Sequence, residues 1–177
     1  KRLFFISAGN VDPEEIKNAK YPDANMLHGI ESPGQSWNAL TVGAYTKSVT
    51  IQDEMYAGFQ AVADNGQLSP YSATSTTFSK KWPIKPEILL DGGNMATNGV
   101  DYDSCTDLSL LTTGKDYLIR PFSTIWATSA ATAQAAGMAA QIFAEYPGIW
   151  PETVRALLVH SARWTCQMKN NFARTKR

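Results

Sequence analysis

A chain of 177 residues with 44% hydrophobic and 18% charged residues has the length and composition of one globular domain, which excludes a disordered or collagen-like chain. Its 16 basic residues balance its 16 acidic ones, leaving no net basic field to attract nucleic acid or anionic lipid. Two cysteines, Cys105 and Cys166, are too few for a disulfide scaffold and share no zinc-ligand spacing with His28 and His160; a bridge between them would require an oxidising compartment.

No apolar segment near the start is followed by a small-residue cleavage site, so no signal peptide is read. Residues 3–6 form a short apolar run stopped by Ser7-Ala8-Gly9-Asn10, the pattern of a strand buried on both faces. A core strand this close to Lys1 suggests a chain cut from a longer one. Asp12-Pro13-Glu14-Glu15 can open a brief helical turn, and residues 18–38 read as loop. Residues 39–45 are a second strand. Residues 69–80, rich in Ser and Thr, read as a surface excursion, and residues 86–90 as a third strand stopped by Asp91-Gly92-Gly93. A fourth strand is expected over 108–112.

An Ala-rich helix runs from Thr128 or Ser129 to about Tyr146, where Pro147-Gly148 ends it. Its apolar stretch, residues 130–144, contains Gln134 and Gln141 and is too short to span a membrane. Pro151-Glu152 opens a last helix whose buried face is read as Val154, Leu157, Leu158 and Ser161. The tail over 169–177 reads as solvated. Strands separated by loops and then two helices indicate an α/β protein with a mostly parallel sheet and helices on both faces.

Two features carry chemistry. Asn10 ends a buried strand; it either tolerates a left-handed turn or aims its amide into a cleft as a donor to developing negative charge. Ser129 starts a helix; it is either an N-cap or a nucleophile at the positive end of a helix dipole.

Taken together and in order, these segments resemble the subtilisin-like serine peptidases (subtilases). Ser7-Ala8-Gly9-Asn10 is similar to that family's oxyanion-asparagine motif. Ala127-Thr128-Ser129-Ala130-Ala131-Thr132-Ala133 is similar to its nucleophile motif. The segment 36–44, Tyr71-Ser72-Ala73-Thr74, Lys85-Pro86-Glu87-Ile88 and the helix from Pro151 fall in matching order, over about residues 3–163. The resemblance implies a three-layer α/β/α subtilisin-like fold with only its C-terminal half present, residues 1–177 forming one part of a catalytic domain. It implies Ser129 as nucleophile, Asn10 as oxyanion donor, and Gly9 and Thr128 as their supporting neighbours at the substrate-binding site. Ala127, Ala130 and Ala133 depart from the family's Gly, Met and Pro, and Leu90-Asp91-Gly92 replaces its Ala-Pro-Gly.

In this family the triad runs Asp, His, Ser, with Asp and His ahead of the oxyanion asparagine. The base and its carboxylate are thus expected upstream, and the covered chain alone is expected to be inactive. Neither His28 nor His160 matches the family's histidine. The partner implied is a protein or peptide substrate, with no nucleic acid and no membrane, and an exposed sheet edge invites a dimer. No cofactor is implied. Structural calcium is common in the family, and Asp101, Asp103 and Asp107 only partly follow a calcium-loop spacing, without the loop Gly and final Glu. Gly114-Lys115-Asp116 lacks the residues of a phosphate loop. The alternative to a peptidase is a subtilase-like scaffold that binds or regulates without cleaving. Compartment stays open.

Overall fold

The computed structural model describes residues 2–172, with Phe172 described by its backbone only. Its centre is a parallel sheet of three strands in the order β1 (Phe5–Ser7), β2 (Leu40–Tyr45), β4 (Ile88–Asp91). Phe5 lies opposite Leu40, and Val42 opposite Ile88. In this three-stranded sheet β1 pairs on one side only and so forms an edge.

The sheet is covered on one face by α3 (Ala127–Glu145). Ala131, Ala135 and Ala139 recur every fourth residue, so their methyl groups line one stripe of the helix. They are almost fully buried against Leu40, Val42, Ala44 and Ile88. Small side chains let this helix backbone approach the strands closely, which seats its N-terminus firmly at the ends of β1 and β4. Behind it, α4 (Pro151–Ser161) adds Val154 and Leu158 to the same core. Leu157 and Ser161, expected on that buried face, are exposed instead. Of α4, only the i, i+4 pair Val154 and Leu158 is buried, while Leu157 and Ser161 line an open groove against Met138 and Ile142 of α3.

The other face of the sheet is approached by loop segments. An added Cβ at Gly43 would collide with Leu89, Pro86 and the Ser72 hydroxyl, so only glycine allows that approach. Residues 69–80 therefore divide: Ser69, Ser72 and Ala73 are fully buried and Tyr71 nearly so, while the Ser/Thr-rich remainder is at the surface. The expected surface excursion thus holds for its second half alone. Burial of Ser69 and Ser72 is tolerated because their hydroxyls bond Gly93 O and the Ala44 N–H.

Four features go beyond the sequence reading. The expected loop over 18–38 contains α2 (Asp23–Leu27), which follows α1 (Pro13–Ala19) after a short turn. A separate antiparallel sheet joins β3 (Gln60–Ala61), β5 (Met95–Thr97) and β6 (Tyr102–Ser104). The fourth strand exists as β7 (Leu110–Thr113), but it pairs antiparallel with β8 (Phe122–Ile125) in its own hairpin, outside the main sheet. Part of the expected solvated tail belongs to α5 (Cys166–Phe172), held through the Thr165 hydroxyl donating to Gly66 O. Residues 173–177 lie outside the described residues. The architecture is α/β with a parallel central sheet, as expected.

Candidate active site

The C-terminal ends of β1 and β4 and the N-terminus of α3 lie at one end of the parallel sheet. β1 ends at Ser7, and the chain turns through Gly9, whose φ of +101° places it in the left-handed region that glycine adopts without penalty. A side chain there would also strike Glu31. The turn delivers Asn10 to the surface, and its backbone is held from behind by the buried segment at 71–73. The Val11 N–H donates to Tyr71 O (2.9 Å) and the Ala73 N–H to Gly9 O (3.2 Å). That segment is in turn anchored by buried Asn25, whose side-chain amide donates to the carbonyls of Ser69, Pro70 and Ser72. Burial pushes the Tyr71 phenol up to about 12, so this support stays uncharged near neutrality.

Opposite Asn10, α3 begins abruptly. Ala127 adopts φ +69°, a conformation that costs a residue with a Cβ roughly 1–2 kcal/mol. Its N–H donates to Gly92 O at 2.7 Å, and a Cβ on Gly92 would lie 2.8 Å from Ala127 O. Alanine, where the resembled motif has glycine, thus holds a conformation that glycine adopts without penalty. Thr128 follows, fully buried, and Ser129 is exposed as the third residue of α3.

Thr128 links the two halves of the site. Its backbone N–H donates to Asn10 Oδ1 at 3.1 Å, and its hydroxyl donates to the same oxygen at 2.6 Å and lies 3.3 Å from Gly9 O. Both groups donate, so the Asn10 oxygen faces Thr128 and the planar amide turns its NH2 end the other way. Residues 118 positions apart in sequence are thereby locked together beside an exposed hydroxyl at a helix N-terminus. Gly9 and Thr128 are buried, Gly9 O accepting from the Ala73 N–H and the Thr128 hydroxyl.

The histidines lie in other settings. His28 follows α2 and is bracketed by carboxylates, Nδ1 to Glu15 at 2.7 Å and Nε2 to Glu31 at 3.2 Å. Burial acts to lower its pKa, but the hydrogen bonds to both glutamates outweigh this and hold it above its ordinary value. Nothing in the sequence motifs announced this bracket, since Glu15 lies 13 positions away. His160 is exposed in the last turn of α4.

Among the described residues no group of three or more His, Cys, Asp or Glu could hold a metal ion. Asp101 pairs with Lys17, Asp103 accepts from the Tyr56 hydroxyl, and Asp107 accepts the N–H groups of Gln52 and Asp53. Cys105 is buried and Cys166 exposed, both as free thiols. Gly114 and Lys115 belong to the loop of the β7–β8 hairpin.

The chain also resembles known proteins. An uncharacterized protein, y4bN, of Sinorhizobium fredii (strain NBRC 101917 / NGR234) is 26% identical over 174 residues, covering 90% of this chain and 40% of that protein. A lanthipeptide protease superposes with a TM-score of 0.51 at 22% identity, over 88% of this chain and 41% of that one. Sphericase superposes with a TM-score of 0.51 at 24% identity, over 89% and 39%. At such identities the structural likeness speaks for the fold. The chain spans about two-fifths of the length of each of these relatives. The sequence profile of the Subtilase family matches residues 1–176, and the chain belongs to that family.

Proposed function

We propose that this chain contributes the nucleophile and the oxyanion hole of a serine endopeptidase. The observation that carries the reading is the double hydrogen bond from Thr128 to Asn10 Oδ1, which orients the Asn10 amide beside Ser129. Ser129 Oγ attacks the scissile carbonyl and passes its proton to a general base. The carbonyl oxygen becomes an oxyanion that accepts hydrogen bonds from Asn10 Nδ2 and the Ser129 N–H. Such fixed donors favour the tetrahedral state over the planar substrate. Collapse expels the amine, which takes the proton, and leaves an acyl-enzyme on Ser129; water then releases the acid by the reverse sequence. Gly9 and Thr128 act as positioning residues.

The base is neither His28, engaged by two glutamates, nor His160 on α4. A serine hydroxyl without a base is a poor nucleophile at neutral pH. In this reading the histidine and its carboxylate come from outside this chain of 177 residues, and the chain alone does not turn over. Peptide hydrolysis by the intact protein, lost in Ser129→Ala, tests the proposal. Hydrolysis that persists in this variant overturns it, and an unsubstituted intact protein without hydrolysis favours a scaffold that binds without cleaving.

A further inference from the structure

Gly9 has no side chain to fill the space beside its Cα, and the stem of Glu31 lies there instead. A Cβ on Gly9 would stand 2.8 Å from Glu31 Cγ and 2.9 Å from its Cδ. The Glu31 N–H also donates to Ala8 O at 3.1 Å, one residue before the glycine. Glu31 therefore meets this turn with both main chain and side chain, and the next residue along is Asn10. Thr128 fixes the far end of the Asn10 side chain, and Glu31 supports the backbone it springs from.

A glutamate stem is free to swing unless its head is held, and His28 holds this one. Its Nε2 lies 3.2 Å from Glu31 Oε1, and its Nδ1 lies 2.7 Å from Oε2 of Glu15 on α1. The ring is a fixed post. Its side chain is 17% exposed, its backbone N–H donates to Ala24 O, and its carbonyl accepts the Thr74 N–H. The helix carrying Glu15 is fixed as well, since Ile16 shares an apolar cluster with Val11, the residue after Asn10. Glu15, His28 and Glu31 thus link α1 to the face of Gly9.

This link has two states. An imidazolium donates from both ring nitrogens and holds both carboxylates at once. A neutral imidazole has one N–H. The shorter contact, to Glu15, keeps it, and the bare Nε2 then turns a lone pair toward the Glu31 carboxylate. The ionisable groups that act on the ring are Glu15 of α1 and Glu31 of the loop after α2; the segment at Thr74 meets it with an uncharged backbone donor. Burial opposes the charged ring, and the hydrogen bonds to the two glutamates outweigh burial, so the change of state falls above the ordinary value of about 6.5.

Resting on the peptidase reading, we propose that Glu31 is a positioning residue for the oxyanion asparagine: gripped by cationic His28 it packs the Gly9 turn and steadies Asn10, and loss of the His28 proton releases it. The intact protein tests this through the pH profile of kcat and KM. On the alkaline side kcat is expected to fall about two- to fivefold with KM unchanged, the size suited to a half-exposed pair. Glu31→Gln is expected to abolish the fall while retaining the kcat that precedes it. Its carboxamide accepts from a protonated Nε2 and, turned over, donates to a bare one, so the stem stays held in both states. Glu31→Ala, which empties the space beside Gly9, is expected to lower kcat by the same factor without any fall. A wild-type profile without the fall, a fall that persists in Glu31→Gln, or Glu31→Ala with the wild-type profile overturns the proposal.

A second readout needs no peptidase activity. In the intact protein labelled with ¹⁵N-glycine and ¹⁵N-asparagine, the Gly9 N–H and Asn10 side-chain NH2 signals are expected to move with pH in step with the His28 ring, and to stay still in Glu31→Gln. Signals that move in a wild-type protein without hydrolysis support the link and count against the peptidase reading alone. Signals that stay still while His28 titrates, or that move equally in Glu31→Gln, overturn the link whatever the activity.

Discussion

The two ends of the parallel sheet are built on opposite principles. At the C-terminal ends of the strands, neutral hydrogen bonds hold a strained turn open around an exposed Asn10 and Ser129. At the N-terminal ends, charge bolts the strands shut. Lys85 Nζ, its side chain 1% exposed, donates to Glu87 Oε1 and to Ala39 O just before β2. Glu87 Oε2 accepts the Thr41 N–H, and Arg155 of α4 reaches both Glu87 Oε1 and Trp37 O. One carboxylate thus joins β2, the start of β4 and α4. The strained Ala127 turn lies at the end of the sheet opposite the ion pairs.

Breaking the charged end gives the largest expected change in stability. Glu87→Ala leaves a buried ammonium without its carboxylate and is expected to cost about 3–5 kcal/mol by denaturant titration. Lys85→Met, which removes the buried ammonium and leaves Glu87 paired with Arg155, is expected to cost clearly less; equal losses would contradict this. At the other end, Asn10→Ala removes the acceptor of both Thr128 bonds and is expected to cost about 1–3 kcal/mol, while lowering kcat of the intact protein about 10²–10³-fold, the range known for loss of one oxyanion donor within this family. Thr128→Val breaks one of the same two bonds. It removes the hydroxyl bond to Asn10 and is expected to cost about 1 kcal/mol together with part of the activity.

Ala127→Gly tests the strain directly. At φ +69° glycine relieves a Cβ penalty, and the variant is expected to be about 1 kcal/mol more stable. A less stable variant would place the strain elsewhere. The smallest effect concerns pH. His28 has a folded-state pKa above its ordinary 6.5, so its stabilising contribution is complete below about 6.5 and is lost as pH rises through the folded value. Its glutamates are about half exposed, which keeps the effect small. Stability measured across neutral pH is expected to decline slightly, and His28→Ala is expected to flatten that decline; an unchanged slope would remove His28 as its source.

The same contrast explains what could be read in the chain. The end with Asn10 and Ser129 is written in short contiguous motifs, Ser7-Ala8-Gly9-Asn10 and Thr128-Ser129, and each sits where a strand stops or a helix starts. Local pattern is enough to locate that strand end and that helix start. The charged end joins residues 46 and 68 positions apart, Lys85 to Ala39 and Arg155 to Glu87, and singly each looks like an ordinary surface charge. The burial of Ser69 and Ser72 was hidden for the same reason: a Ser-rich run reads as solvated until its hydroxyls meet Gly93 and Ala44 across the fold. Leu157 shows the limit of periodicity, which offers several helical faces while packing against α3 selects one.

The proposed peptidase requires the Asn10 amide and the Ser129 hydroxyl to address one reacting carbonyl. A crystal structure of the intact protein after reaction with a fluorophosphonate measures this directly. The phosphorus is predicted on Ser129 Oγ, with its free oxygen within hydrogen-bond distance of Asn10 Nδ2. An adduct on another residue, or one on Ser129 whose oxygen points away from Asn10, would contradict it.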